Sequence, residues 1–206
     1  MQNILTENVT SADNQQERLD ACVSDDYLVG FVEGEGNFYI GIVPSKETKT
    51  GWQVIHFFKV SQNPSGREVL EYFIKRFGCG YIKANSNNDL TDRSLAYVVR
   101  DLKNLREKVI PFFEGKLVIK LDAFEKFKRV VQLVSEKKHL TLQGVTEIVN
   151  LAYSMNTGKR KFPKELILEA YTNLESSQTI RQTPLGGEDI VGSLRRRKEL
   201  AGILSN

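Results

Sequence analysis

Over residues 25–112 the hydrophobic positions switch repeatedly between a helical period and a twofold alternation. Leu28, Phe31 and Val32 form one stripe of a short helix. Phe38, Ile40 and Ile42 then alternate with Asn37, Tyr39, Gly41 and Val43, the pattern of a strand with one buried face. After the polar connector 44–51, a second strand places Trp52, Val54, His56, Phe58 and Val60 toward the core and Gln53, Ile55, Phe57, Lys59 and Ser61 outward. On the core side, His56 reads as a hydrogen-bonded core histidine rather than a catalytic base. Pro64 opens a helix with the stripe Val69, Leu70, Phe73, Ile74 and Phe77, and Gly78 ends it. Residues 81–85 and 94–99 alternate again on either side of a polar loop, and Asp101 caps a helix running toward Pro111. The predicted order is helix, two strands, helix, two strands, helix, an α+β arrangement with an antiparallel sheet.

Further helices follow. Residues 116–138 carry seven basic and three acidic side chains, with Leu117, Leu121, Phe124, Phe127, Val131 and Val134 at helical spacing, so a basic amphipathic helix is expected from Lys116. Residues 141–155 and 164–174 read as packed helices separated by a basic loop. Residues 1–24 are expected to be a flexible acidic leader, 25–175 the folded domain, and 176–206 a Ser/Gln/Thr/Gly-rich linker with a short basic helix containing Arg195, Arg196, Arg197 and Lys198.

Composition narrows the function. The 206 residues suffice for one domain with a real core, and no apolar run approaches the ~20 residues of a membrane span. Six acids and one arginine within residues 1–26 give that segment −5; subtracting it from the total of +3 leaves +8 on residues 27–206, which suits a polyanionic partner. The amino-terminal stretch resembles neither a signal peptide nor a transit peptide. Cys22 and Cys79 make neither a disulfide framework nor a zinc pattern, so a reducing, intracellular setting fits, whether a bacterial cytoplasm or an organelle. Cys79, in a Gly-Cys-Gly turn, reads as a packing residue. Phosphate loops, dinucleotide fingerprints and serine elbows are absent, and no small-molecule substrate or membrane partner is expected.

The most informative segment is Leu28-Val-Gly-Phe-Val-Glu-Gly-Glu-Gly36. Gly30 and Gly34 lie one above the other on a helix, where each costs about 1 kcal/mol relative to alanine. Their retention suggests that another backbone approaches that face. Gly36 fits a left-handed stop after the last turn. Glu35 then sits at the helix C-terminus, which disfavours a negative charge by roughly 0.3–1 kcal/mol; a divalent cation would account for it. This nonapeptide resembles the signature helix of the LAGLIDADG homing endonucleases, and the order of elements through the basic helix near Lys116 is similar to one half-unit of that fold, αββαββα around a four-stranded saddle sheet.

The resemblance implies a site-specific DNA endonuclease of the homing type, using Mg2+ or another divalent metal, with Glu35 and the carbonyl of Gly34 as ligands. It implies that Gln62, closing Phe58-Lys59-Val60-Ser61-Gln62, orders the attacking water. Lys116, after Pro111-Phe112-Phe113-Glu114-Gly115, would approach the scissile phosphate. Glu33 is assigned to helix or interface packing rather than to metal. With one signature helix bearing acids, the glycine face can be buried only against a second copy, so a twofold homodimer with Gly30, Glu33 and Gly34 at its interface is expected. The two Glu35 carboxylates would then meet, and a pseudo-palindromic double-stranded DNA site would follow. Base readout is expected from Tyr39, Val43, Ser45, Lys46, Gln53, Ile55, Phe57, Lys59, Tyr81, Lys83, Asn85 and Arg93 on the outward strand face, where Ile55 and Phe57 would be unusual on bare solvent. The competing reading is a non-cleaving nucleic-acid binder of the same fold, an RNA maturase or a DNA-binding regulator. An intein is not expected, because no nucleophile begins the chain and no His-Asn ends it.

Overall fold

A computed structural model of the chain describes residues 23–86, 91–155 and 161–182, with side chains through 176. Most of the expected acidic leader and residues 183–206, with the basic Arg195–Lys198 cluster, lie outside the described residues.

Helix α1 (Asp25–Glu35) starts at Ser24, whose hydroxyl accepts from the Tyr27 N–H at 3.1 Å, with Asp25 and Asp26 in its first turn. Strands β1 (Gly36–Pro44) and β2 (Trp52–Gln62) form a hairpin. Pro64 opens a 3-10 turn that leads into α2 (Arg67–Phe77), closed by Gly78 in the left-handed conformation, φ 57°. Strands β3 (Tyr81–Ala84) and β4 (Leu95–Val99) complete an antiparallel sheet of order β1-β2-β4-β3. The sheet register separates two faces. Phe38, Phe58 and Val99 share one row of the core face, and Val60, Tyr97 and Ile82 another. Tyr39 with Phe57, Gly41 with Ile55 and Val43 with Gln53 form rows of the opposite face, in agreement with the alternation in the sequence.

Asp101 accepts from the Asn104 N–H at 2.8 Å and starts α3 (Leu102–Asn104), which passes through a π-helical segment (Leu105–Val109) into α4 (Ile110–Phe113). The helix runs on through Pro111: the widened π turn before it accommodates a residue with no N–H and a ring that would strain a regular turn. The core is aromatic. The Phe38 ring lies 5.3–5.6 Å from those of Phe58, Phe113, Phe124 and Phe127, clamping α5 (Leu121–Ser135) onto β1.

Several local expectations change. Helix α5 begins at Leu121, not at Lys116; residues 114–120 form an irregular loop, and Leu121 is exposed rather than part of the buried stripe. In α1 the fully buried positions are Leu28, Val29 and Val32, while Phe31 is half-buried against Phe73. Gly36 is not left-handed but extended, φ −81°; a Cβ there would stand 2.5 Å from Val32 Cγ1 and 2.7 Å from the Val32 carbonyl oxygen. Glycine is needed there for space, because the chain turns from α1 directly into β1. His56 is not a hydrogen-bonded core histidine: among the described residues neither ring nitrogen has a partner. Cys79 is half-buried against the core.

Helices α6 (Leu142–Met155) and α7 (Lys164–Gln182) add a second, smaller core. Val145, Val149, Ile167 and Tyr171 pack with Trp52, whose ring meets Phe162 edge-on at 5.0 Å. Helix α7 runs past Leu174 into the stretch expected as linker, through Gln182.

Candidate active site and nucleic-acid interface

The end of α1 and the start of β1 are one continuous piece of chain, so Glu35 is fixed at the edge of the sheet where β1 begins. Its first strand residue, Gly36, pairs with Val60. Gln62, the last residue of β2, lies two positions beyond Val60 at that same edge, roughly 7 Å along the strand. The sheet thus brings Glu35 and Gln62 to one end. Gln62 Oε1 accepts from the Asn63 N–H at 2.6 Å, and its side chain fills the space beside Gly66, where a Cβ would stand 2.4 Å from Gln62 Cγ.

Glu35 and Gly34 are exposed, and α1 has no basic residue in its last turn. The Glu35 carboxylate has no hydrogen-bond or salt-bridge partner among the described residues. A hard oxygen donor so placed fits a divalent cation. Among the described residues no three His, Cys, Asp or Glu side chains converge, so one chain offers this acid without a full cage. Gly30 and Gly34 are exposed, and a Cβ at either would meet nothing within 4 Å. Their side of the helix is therefore bare, and the fold of a single chain does not require glycine at either position.

Lys116 comes from the loop between α4 and α5. Its N–H donates to the Phe113 carbonyl at 3.1 Å, and its Nζ lies 4.6 Å from the centre of the Phe112 ring. The Arg76 guanidinium lies 4.9 Å from that ring centre and is paired with both oxygens of Asp25, at 2.6 and 2.8 Å. Hydrogen bonding to Arg76 holds the Asp25 carboxyl below the ordinary carboxylate range, with the Lys116 charge adding to the effect. Lys116 also lines an open cleft with Asp26, Val29, Gly30, Glu33, Val118 and Ile119. Glu33, expected in helix or interface packing, turns its carboxylate to its own chain: it accepts from the backbone N–H groups of Val118, Ile119 and Lys120, the latter two at 3.2 and 2.9 Å. No local sequence signal marks this contact, because the partners are backbone groups more than eighty residues away.

On the outward sheet face Tyr39, Val43, Ile55, Phe57 and Lys59 are half-buried and Gln53 is exposed. Phe57 is not on bare solvent: Tyr39 stacks on one side at 4.5 Å, and the Arg100 guanidinium lies 5.1 Å from its ring centre. Arg100, exposed just beyond β4, was not among the sequence candidates. Lys59 Nζ donates to Asn85 Oδ1 at 3.0 Å, and Asn85 Nδ2 donates to Asp92 at 3.5 Å, so these two candidates bind each other. Tyr81 and Arg93 are exposed, and Lys83 is half-buried. Ser45 closes the β1–β2 turn, its N–H donating to the Gly51 carbonyl at 2.8 Å, and Lys46 is exposed at the tip.

The profile of the LAGLIDADG endonuclease family matches residues 28–131, from the first residue of the glycine-bearing segment into α5, and encloses Glu35, Gln62 and Lys116. This chain belongs to the LAGLIDADG family. It is 33% identical over 149 residues to a probable intron-encoded endonuclease of Neurospora crassa, covering 70% of this chain and 32% of that protein. It is 30% identical over 157 residues to the DNA endonuclease I-CeuI of Chlamydomonas moewusii, covering 74% and 69% of the two. The chain spans only about a third of the Neurospora protein's length and 24% of a second Neurospora relative. Among solved structures, the homing endonuclease I-TnaI is 35% identical with a TM-score of 0.63, covering 72% of this chain and 98% of its own. An archaeal intron-encoded homing endonuclease, I-Vdi141I, solved in complex with DNA, shares the fold with a TM-score of 0.66 at 24% identity, covering 78% of this chain and 99% of its own. The LAGLIDADG signature helix is thus α1, which carries the bare glycine face and a Glu35 with no partner among the described residues. No helix among the described residues is long and apolar enough to cross a membrane.

Proposed function

We propose that this protein is a homing-type DNA endonuclease that works as a homodimer and hydrolyses both strands of a pseudo-palindromic site with Mg2+. The observation that carries this reading is the joint placement of a bare glycine face and an unpartnered acid at the end of the same helix. A second α1 seated on Gly30 and Gly34 buries that face and brings the two Glu35 side chains together.

The Glu35 carboxylate and the Gly34 carbonyl would hold the cation. A bound divalent ion supplies neutralisation of the phosphodiester charge and activation of water. Gln62, held by its bond to Asn63, offers its amide to orient the attacking water at the sheet edge. Lys116, poised over Phe112, presents an ammonium to the non-bridging phosphate oxygens. The outward sheet face lies in the major groove, with Gln53, Lys46, Arg93 and Arg100 as the polar contacts not engaged with one another. The excess of positive charge on residues 27–206 favours that docking and makes it salt-sensitive.

The test is selection of cleaved sites from a genomic or random DNA library with Mg2+, in parallel with Glu35→Gln. Wild type should yield a defined double-strand break that the variant does not make. Identical products from both proteins would reject the reading. Specific DNA binding without cleavage by wild type would favour the non-cleaving binder.

A further inference from the structure

We propose that Glu33 is a positioning residue for Lys116, holding the loop 117–120 to α1 so that the site's lysine is set by the same helix that carries Glu35. The proposal rests on the endonuclease reading of Lys116 and assigns Glu33 a role distinct from metal binding.

The Glu33 carboxylate accepts the N–H groups of three consecutive residues, Val118, Ile119 and Lys120. Those donors lead into α5, where Lys120 stands at the N-cap without any side-chain cap of its own. Glu33 therefore binds the N-cap N–H of α5 together with the two N–H groups before it, an anionic acceptor on the side where the helix dipole favours negative charge. The consequence for Lys116 is geometric. Upstream, its N–H is tied to Phe113, and Gly115 turns the chain in the left-handed conformation at φ 70°. Downstream, Leu117 is buried and the next three N–H groups are gripped by Glu33. Lys116 is thus held at both ends of a loop that has no regular hydrogen-bonded structure of its own. Val118 and Ile119 are 82% and 80% exposed, so side-chain packing does not hold this part of the loop. The carboxylate does.

A glutamine is nearly isosteric but offers one acceptor oxygen and an NH2 that would face the donors. Glu33→Gln should therefore lower the single-turnover cleavage rate with Mg2+ on the order of 10- to 100-fold, the cost of a displaced catalytic group. DNA affinity measured with Ca2+ and the dimer mass should stay as in wild type. In a Lys116→Met background the same substitution should lower the rate by less than about twofold, because a residue that acts through Lys116 has nothing left to position. Independent losses that multiply would overturn the proposal, as would a Glu33→Gln rate equal to wild type or a loss explained by weaker DNA binding or dissociation. Amide hydrogen exchange of residues 118–120 tests the clamp without any cleavage assay. These amides should be protected in wild type and exchange faster in Glu33→Ala, and equal rates would reject the clamp. A wild type that cleaves nothing would remove the endonuclease reading while that exchange comparison still decides on the clamp.

Discussion

Tyr39 and Phe57 stack on the outward face of the sheet with ring centres 4.5 Å apart and planes 17° from parallel. They are directly paired across β1 and β2, and the Arg100 guanidinium lies over the second ring. The stack makes a rigid platform that holds a cation at the surface proposed to meet DNA. Phe57→Ala should release Arg100 and weaken DNA binding on the order of fivefold, the loss of ~1 kcal/mol. Titration of labelled DNA with Ca2+ reads this directly, with circular dichroism as the control for fold.

The glycines of α1 divide into two physical classes. Gly36 is crowded by Val32, so Gly36→Ala should destabilise the chain by roughly 1–3 kcal/mol through forced displacement at the helix–strand junction. Gly30 faces open space, so Gly30→Ala should stabilise an isolated chain by up to about 1 kcal/mol through helix propensity. The same change should weaken self-association, because a methyl group keeps two helix backbones apart. Urea unfolding of dilute protein, paired with sedimentation, separates the two effects.

This contrast also marks what could be read from the chain. The twofold alternation of Phe38–Ile42 and Trp52–Val60 is dictated by burying one sheet face, and the register confirms it residue by residue. The exposed glycine pair was legible because glycine in a helix needs a reason. Gly36 is not decided by local sequence, because a glycine after a helix is compatible with either a left-handed turn or a close contact, and only the neighbouring Val32 decides. The Glu33 contact, the Asp25–Arg76 pair and the Trp52–Tyr171 cluster join residues distant in the chain, so no local spacing encodes them. The stretch before α5 is likewise held from a distance, by Glu33 accepting the N–H groups of residues 118–120.

His56 predicts a pH response. Burial, with the nearby His139 adding, lowers the His56 pKa from its ordinary value, and burial lowers that of His139 as well. Both rings are therefore neutral in the folded chain over a range where the unfolded chain takes up protons. Stability should fall as pH drops below about 6.5, the ordinary histidine value. His56→Phe should flatten that decline in urea-unfolding midpoints measured between pH 7.5 and 5.5; an unchanged slope would contradict it.

The Asp25–Arg76 pair acts lower on the scale. Because the folded Asp25 carboxyl titrates below its unfolded value, its contribution is present at neutral pH and is lost only below about pH 4. The pair is solvent-accessible, so the effect should be small and screened by salt. Asp25→Asn should narrow the stability difference between low and high salt at pH 7, and the gap between variant and wild type should shrink as pH falls below about 4, as read by thermal melts.

In the proposed homodimer, two copies meet at the bare glycine face of α1. Sedimentation equilibrium of wild type and of Gly30→Arg, with circular dichroism to establish that both are folded, decides whether they do. Wild type should sediment at twice the 23.4 kDa chain mass and the variant at the single mass. A wild-type monomer at micromolar concentration, or a Gly30→Arg protein that still dimerises, would contradict the account.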